Sequence, residues 1–252
     1  MHNMINHFID IEKAGKFNLV PKQVMVTRQG RTFKQTVYVN LNQPVGIKKW
    51  KDQTNYLGLK YNMKGLCNNF STANLSEVVV KGMGNAIGKS MVSVINKCPK
   101  LKAHTNLINF DLVVKDVILA GNGRKQLGNA GLCEVGKKVT ITVVKHKNHN
   151  DVLPPAIGKW RTGQNTSSTF RHELGHHIWY KVVSLKDRNY WKDLFKVNGK
   201  PYWEKAVSGY GSTDHEECFA EAFAAYTSSK YKKGLLPVEV EDYMDSITKG
   251  DN

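Results

Sequence analysis

Apolar residues recur at helical spacing in three stretches of the chain. In residues 76–98 they return every three or four positions, and Pro99 ends the stretch. Residues 237–248 form another stretch that begins with a proline. Residues 167–184 follow a polar run rich in N-cap residues and carry apolar side chains four positions apart: Phe170, Leu174, Ile178 and Val182. These three patterns predict amphipathic helices.

Other apolar runs predict β-strands. Residues 23–28 and 32–39 alternate apolar and polar side chains around a glycine turn, which predicts a β-hairpin. Residues 110–119 and 139–144 are also predicted to be strands, and the glycine-rich segment 121–136 separates them. The predicted fold class is therefore α+β, with a small twisted sheet and several helices.

A five-residue motif, His172-Glu173-Leu174-Gly175-His176, lies inside the helix predicted for residues 167–184. Residues four apart share one face of a helix, so His172 and His176 can bind a single Zn²⁺ ion. Glu173 can then reach a water on the open coordination position of that ion. This arrangement is typical of zinc-dependent peptidases. The alternative is an ordinary amphipathic helix that contains two histidines by coincidence.

A catalytic zinc site needs a third protein ligand, and segment 210–226 contains the candidates. It predicts a helix on which Glu217 and Glu221 are four apart and share one face. Carboxylates on an otherwise apolar face are costly to bury unless they meet a cation or a metal. We therefore assign Glu217 as the ligand, Glu221 as the carboxylate that orients a ligand histidine, and Asp214 as a further supporting acid. Glu216 is predicted to point away into solvent.

Together, the segments HELGHH and YGSTDHEECFAEAFAAY resemble the gluzincin metallopeptidases, most closely their anthrax-lethal-factor-like branch. The resemblance covers residues 165–230 and implies a zincin-like domain. It implies this site: zinc ligands His172, His176 and Glu217, general base Glu173, oxyanion-stabilising Tyr210 and supporting Glu221. In such enzymes a strand borders the cleft and can pair with an extended peptide, and residues 140–144 are the candidate here. Cys218 stands where the family often has an aromatic residue, a difference that bears on packing.

The predicted activity is zinc-dependent hydrolysis of peptide bonds in a protein or peptide substrate. A zinc-bound water would attack the carbonyl carbon, with Glu173 as general base. Tyr210 would stabilise the oxyanion, although a tyrosine beside glycines is more often a loop anchor. The ligand set of two histidines and one glutamate favours zinc, but ligand type alone does not separate zinc from manganese or cobalt.

The chain is strongly basic, with 37 Lys and Arg residues against 21 Asp and Glu residues and a formal net charge of +16. Half of this excess falls in residues 1–65, the segment that contains the predicted hairpin. Such a surplus favours a polyanionic partner, either nucleic acid or an acidic protein, and a solvated basic ribbon is the alternative. The hairpin sequence also resembles, more weakly, stretches of phage head-morphogenesis proteins, which suggests a phage or prophage origin. A toxin-related role is the other context considered for the predicted peptidase.

The length and composition set the expected organisation. A basic N-terminal segment, residues 1–65, is expected to precede one zincin-like metallopeptidase domain, residues 66–252. No apolar run approaches the ~20 residues of a membrane span, and no signal peptide is visible, so we expect a cytoplasmic or virion-associated protein. The four cysteines are scattered and are expected to be reduced.

Two functions without catalysis remain open on the sequence. One is a phage structural protein whose metal site only stabilises the fold. The other is a basic nucleic-acid-binding module with a degenerate peptidase fold. Structural zinc sites are usually closed by four protein ligands and rich in cysteine, which argues against the first. Salt-dependent DNA binding without proteolysis would favour the second.

Overall fold

The chain divides into two units, residues 1–53 and residues 54–252, which are described separately. The sequence placed this boundary near residue 65. The structure is a computed structural model, and it describes residues 19–28, 31–40, 66–73, 75–103, 108–116, 118, 131–136 and 138–249.

The N-terminal unit contains an antiparallel hairpin of two strands, β1 (Leu19–Arg28) and β2 (Arg31–Asn40). Its register pairs Leu19 with Asn40 and Arg28 with Arg31. This confirms the hairpin that alternation predicted over residues 23–28 and 32–39. The hairpin side chains and the other residues up to 65 lie outside the described part, so the polyanion partner stays a prediction.

The described residues of the second unit include a four-stranded mixed sheet. Its strands are β3 (Cys67–Ala73), β4 (Phe110–Lys115), β5 (Gly131–Val135) and β6 (Val139–Val144), in the order β3-β4-β6-β5. Strands β3, β4 and β6 are parallel, whereas β5 runs antiparallel to β6 at the edge. Burial alternates along β4, where Phe110, Leu112 and Val114 lie in the core.

The strand order corrects one prediction. Residues 140–144 cannot be the edge that receives a peptide, because β6 lies between β4 and β5 and pairs with both. The edge beside the later helices is β5, which lies inside the segment that the sequence treated as a glycine-rich connection. The strand Gly131–Val135 is short and gives little strand signal in the sequence. Short strands of this kind are common at sheet edges. Strand β4 also ends at Lys115, earlier than predicted.

Six helices complete the described part of the second unit: α1 (Glu77–Lys97), α2 (Pro99–Ala103), α3 (Thr166–Lys181), α4 (Leu185–Ala206), α5 (His215–Tyr226) and α6 (Val238–Lys249). The predictions for α1, α3 and α6 are confirmed to within a few residues at each end. A short 3-10 turn, Gly211–Thr213, precedes α5. None of the described helices combines the length and hydropathy that a bilayer span requires. Together, these strands and helices form a mixed α/β architecture with a small mixed sheet.

Helix α3 lies at the centre of this unit, in contact with α1, α5 and the two strands β5 and β6. A Cβ atom added at Gly175 would lie 3.0 Å from the Cα atom of Ala220, so α3 and α5 approach closely. Glycine is costly inside a helix, and this close approach leaves no room for a larger residue at position 175. The Arg171 guanidinium is buried on the same helix and pairs with Asp151 at 2.7 Å. These contacts fix α3 against its neighbours on several sides.

Candidate metal centre

Helix α3 presents the two motif histidines to one side. The helix begins at a capping box, in which Asn165 Oδ1 accepts from the backbone N–H of Ser168 at 2.8 Å and Ser168 Oγ accepts from the N–H of Asn165 at 3.1 Å. One turn further along, the Nε2 atoms of His172 and His176 lie 3.2 Å apart. Their four-residue spacing therefore produces the convergence that the sequence predicted.

Helix α5 brings a carboxylate to the same point. Asp214 caps this helix, because its Oδ1 atom accepts from the backbone N–H of Glu216 at 2.7 Å. In the first turn, Glu217 Oε2 lies 3.1 Å from Nε2 of His172 and 3.3 Å from Nε2 of His176. The three potential ligand atoms all lie within 4.8 Å of one another.

The donor set of this cluster fits a metal ion. Two imidazole nitrogens and one carboxylate oxygen converge, and lone pairs held this closely need a proton or a cation between them. His172 is buried, whereas His176 and Glu217 are half-buried and border a cleft. Nitrogen and oxygen donors in this combination are typical ligands of Zn²⁺, although they do not identify the metal. The structure thus brings together all three residues predicted as ligands.

Glu221 holds the ring of the first histidine in place. Its Oε1 atom lies 2.8 Å from Nδ1 of His172, on the opposite side of the imidazole from Glu217. Its Oε2 atom accepts from the backbone N–H of Thr162 at 2.7 Å and from the Ser208 hydroxyl at 3.0 Å. Burial opposes ionisation of Glu221, but the hydrogen bonds from His172, Thr162 and Ser208 lower its pKa. Glu221 therefore occupies the supporting position that the sequence predicted.

The metal-free cluster carries a proton on His172. Burial opposes that charge, but hydrogen bonds to Glu217 and Glu221 outweigh it and raise the pKa of His172 to about 10. Burial would also raise the pKa of the Glu217 carboxyl, yet hydrogen bonds from His172 and His176 hold it well below its usual range. A metal ion that binds here must therefore displace a proton from an imidazolium beside an ionised carboxylate.

Glu173 lies between the cluster and the sheet edge. Its side chain is buried, and a Cβ atom added at Gly131 would lie 2.3 Å from its Oε1 atom. Gly131 begins β5 and pairs with Val143 of β6. Burial raises the pKa of Glu173, although the charges of His172 and His176 lower it in part. The motif glutamate thus has a carboxyl with a perturbed pKa, and it occupies space that a larger residue at 131 would fill.

Tyr210 lies beside the cluster, in the turn before α5. Its backbone N–H donates to the carbonyl of Trp160 at 2.7 Å, and its ring centroid lies 5.7 Å from the ring of His172. The Cζ atom of Arg161 lies 4.3 Å from the Tyr210 ring centroid. Burial, together with the charge and hydrogen bond of Glu217, raises the pKa of Tyr210, so its hydroxyl keeps its proton at neutral pH. The phenol can therefore act as a neutral hydrogen-bond donor.

An open cleft of about 330 Å³ contains these groups. It is lined by Gly131, Leu132, Cys133, Arg161, His172, Glu173, His176, Tyr180, Tyr210, Glu216 and Glu217. Other cavities of about 390 and 440 Å³ are larger, but none of the three ligand candidates lines them. The chemistry of the lining, more than its size, identifies this cleft as the candidate site.

Two acids differ from their predicted placement. Glu216 lines the cleft and accepts from the Tyr180 hydroxyl, whereas the sequence placed it in solvent. The Asp214 carboxylate caps α5 and lies 3.3 Å from Nδ1 of His215, so its contacts are with its own helix and with neither ligand histidine. Local sequence reasoning also missed Gly131 and Arg161, because their neighbours in the cleft come from distant parts of the chain.

Comparison with known proteins adds no family assignment. No protein-family model matches the chain, and no curated protein matches it either. The resemblance to gluzincins therefore stays a prediction that rests on the motifs quoted above.

Proposed function

We propose that this protein is a zinc-dependent endopeptidase with a zincin-like catalytic domain. The observation that carries the proposal is the cluster of His172, His176 and Glu217 at an open cleft, with the buried carboxyl of Glu173 beside it. Two histidines and one glutamate leave a further coordination position for water or substrate. Burial raises the pKa of the Glu173 carboxyl, and a carboxylate of higher pKa is a stronger general base.

The proposed mechanism assigns a separate task to each side chain. A zinc ion held by His172, His176 and Glu217 would supply Lewis acidity and bring the pKa of its water towards about 7. Glu173 accepts the proton of the attacking water and then delivers it to the departing amine. Tyr210 donates its hydroxyl proton in a hydrogen bond to the carbonyl oxygen as negative charge develops there.

The edge strand suits an extended peptide substrate. Among the described strands, β5 pairs only with β6, and Gly131, Leu132 and Cys133 line the cleft. Backbone groups on the outer side of an edge strand can pair with an added strand. A peptide bound in this way would pass close to Glu173, because Gly131 lies against that carboxyl. This placement favours internal peptide bonds as the substrate.

A purely structural metal site fits these observations less well. Structural zinc is usually enclosed by four protein ligands, often cysteines. Among the described residues, the ligand cluster has three members and contains no cysteine. A structural site also gives no role to the buried Glu173. The phage or toxin context and the nucleic-acid partner stay predictions.

Metal removal tests the proposal. The purified protein is loaded with zinc, its metal content is measured by plasma mass spectrometry, and cleavage of a randomised peptide library is followed by mass spectrometry. We expect about one zinc ion per chain and cleavage that stops with o-phenanthroline and returns when zinc is restored. Cleavage that continues after complete metal removal would contradict the proposal, as would a fully loaded protein that cleaves no peptide or protein substrate.

A further inference from the structure

The candidate cleft contains one guanidinium that has no hydrogen-bond or ion-pair partner in the part of the chain that the structure describes. Arg161 is the only Lys or Arg residue among the described residues that line the cleft, where it is half-buried. Its side chain makes no hydrogen bond or ion pair with any residue that the structure describes, and its Cζ atom lies 4.3 Å from the centroid of the Tyr210 ring. The other charged residues that line the cleft include the carboxylates of Glu173, Glu216 and Glu217. An unpaired cation in this position is available to a ligand.

The backbone around Arg161 is firmly anchored. The carbonyl of Lys159 accepts from the N–H of Gly209 at 2.8 Å, and that of Trp160 accepts from the N–H of Tyr210 at 2.7 Å. On the other side, Thr162 donates its N–H to Glu221, the carboxylate that holds His172. Arg161 therefore lies between residues that are fixed to the candidate site, and little loop ordering is needed when a ligand binds.

A contact with an aromatic ring occupies few of the hydrogen-bond donors of a guanidinium. A guanidinium has five N–H donors in a planar fork and pairs with a carboxylate through two parallel hydrogen bonds. Contact with an aromatic ring uses the face of the group or a single edge, so several donors still point elsewhere. Arg161 is therefore suited to bidentate binding of a carboxylate while Tyr210 supports it.

We propose that Arg161 binds a carboxylate of the peptide substrate and makes the enzyme selective for acidic sequences. This inference rests on the peptidase function proposed above. The guanidinium contacts the Tyr210 ring, which lies 5.7 Å from the ring of His172. An extended peptide advances about 3.3 Å per residue, so the bound carboxylate belongs within about three residues of the scissile bond. The net charge of +16 also attracts acidic peptide chains to the protein.

A cleavage assay with charge-matched peptides tests the proposal. A library blocked at both ends identifies a cleaved core sequence, and each position within three residues of the cut is then made Glu or Gln. A third set carries a free C-terminal carboxylate in place of the acidic side chain. Native protein is expected to prefer the carboxylate about 10- to 100-fold in kcat/KM, the range of a charge-assisted pair. Preference in the Glu set supports the proposal. Preference confined to the third set would show that Arg161 binds the chain terminus and would overturn selectivity for acidic sequences.

Arg161→Ala should lower kcat/KM for the Glu peptide about 10- to 100-fold more than for the Gln peptide, and so remove the preference. Lys159→Ala is the matched control, because this exposed lysine has the same charge, lies two residues away and does not line the cleft. It should keep the preference. Arg161→Glu should reverse the preference towards a peptide with Lys at the selected position. Equal losses on the Glu and Gln peptides, or a native enzyme without acidic preference, would overturn the proposal.

Peptide binding gives a second readout that does not need turnover. Fluorescence anisotropy measures the binding of labelled octapeptide pools that contain either one Glu or the matching Gln. The Glu173→Gln variant is the protein that binds them, so that no peptide is cleaved during the measurement. The Glu pool should bind about tenfold or more tightly, and adding Arg161→Ala should abolish that difference. If the native protein cleaves nothing, the peptidase function fails, and these binding results still decide the role of Arg161. Equal binding of the two pools contradicts it.

Discussion

Oε1 of Glu221 lies 2.8 Å from Nδ1 of His172, while Nε2 of the same ring lies 3.1 Å from Oε2 of Glu217. One imidazole is thus held between two carboxylates that are four residues apart on helix α5. Glu221 is itself fixed by hydrogen bonds from Thr162 and Ser208. His172 is therefore oriented before any metal arrives, so that Nε2 is the nitrogen directed at the cluster.

Glu221→Gln should weaken zinc binding by about 10- to 100-fold, the usual cost of losing a carboxylate that orients a ligand histidine. The amide is close in size to the carboxyl, so the core around it should remain packed. Zinc affinity can be measured by competition with a fluorescent chelator, and folding by circular dichroism. An unchanged zinc affinity in a folded variant would show that the contact between Glu221 and His172 does not support metal binding.

Gly131→Ala should lower kcat for peptide cleavage without loss of zinc. The new methyl group would lie 2.3 Å from Oε1 of Glu173, and the carboxylate can move more easily than a strand paired to β6. A misplaced catalytic group can lower the rate by about 100-fold. Gly136→Ala is the matched control, because a methyl group there meets only a backbone oxygen at 3.7 Å. Equal values of kcat for the two variants would show that the position of the Glu173 carboxylate does not affect catalysis.

Zinc affinity should rise with pH across the neutral range. The raised pKa of His172, about 10, means that the metal-free imidazolium must lose a proton when zinc binds. One released proton corresponds to about a tenfold gain in affinity per pH unit below that pKa. Titration calorimetry in buffers of different ionisation enthalpy counts the protons. An affinity that is flat between about pH 7 and pH 9, with no proton release, would exclude a protonated cluster.

The same pKa has a consequence for the metal-free fold. A raised pKa in the folded state adds stability that is fully present below the unfolded histidine value of about 6.5. That contribution is lost as the pH rises through about 10. Urea unfolding of the metal-free protein should therefore show a free energy of unfolding that decreases between these pH values. Zinc-loaded protein serves as the comparison, because its His172 carries no proton to lose.

Tyr210→Phe should reduce kcat by about 10²–10³-fold, with little change in KM or zinc content. The hydroxyl is lost, but the ring contacts with His172, Trp160 and Arg161 are kept. A donor that acts mainly on the developing oxyanion affects kcat far more than substrate binding. Tyr190→Phe on the exposed side of α4 is the control and should leave both constants unchanged. If Tyr210→Phe keeps native kcat, Tyr210 is a loop anchor only.

The ligand set could be predicted from the sequence because each part of it is encoded locally. His172 and His176 are four apart on one helix, and Glu217 and Glu221 are four apart on another. Helical spacing alone therefore places each pair on a common face. Both pairs converge in the structure, with Glu217 and Glu221 on either side of the His172 ring. The apolar repeats of α1, α3 and α6 are local signals of the same kind.

The walls of the cleft could not be predicted in this way, because they depend on contacts between distant segments. Gly131 meets Glu173 only because β5 pairs with β6 at the sheet edge, and no local pattern encodes strand order. Arg161 reaches the cleft because its loop is bonded to Gly209 and Tyr210. The mistaken edge assignment for residues 140–144 has the same origin. An apolar run predicts a strand but does not specify its neighbours.

The catalytic role of Glu173 is the most direct test of the proposed function. Peptide cleavage is measured for native protein, Glu173→Gln and the control Glu134→Gln, with zinc content matched by plasma mass spectrometry. Glu134 is an exposed carboxylate on the same edge strand that approaches Glu173. We predict about one zinc ion per chain in all three proteins, native rates for Glu134→Gln and a loss of about 10²–10⁴-fold in kcat for Glu173→Gln. Equal cleavage by all three proteins at equal zinc content would contradict the proposed mechanism.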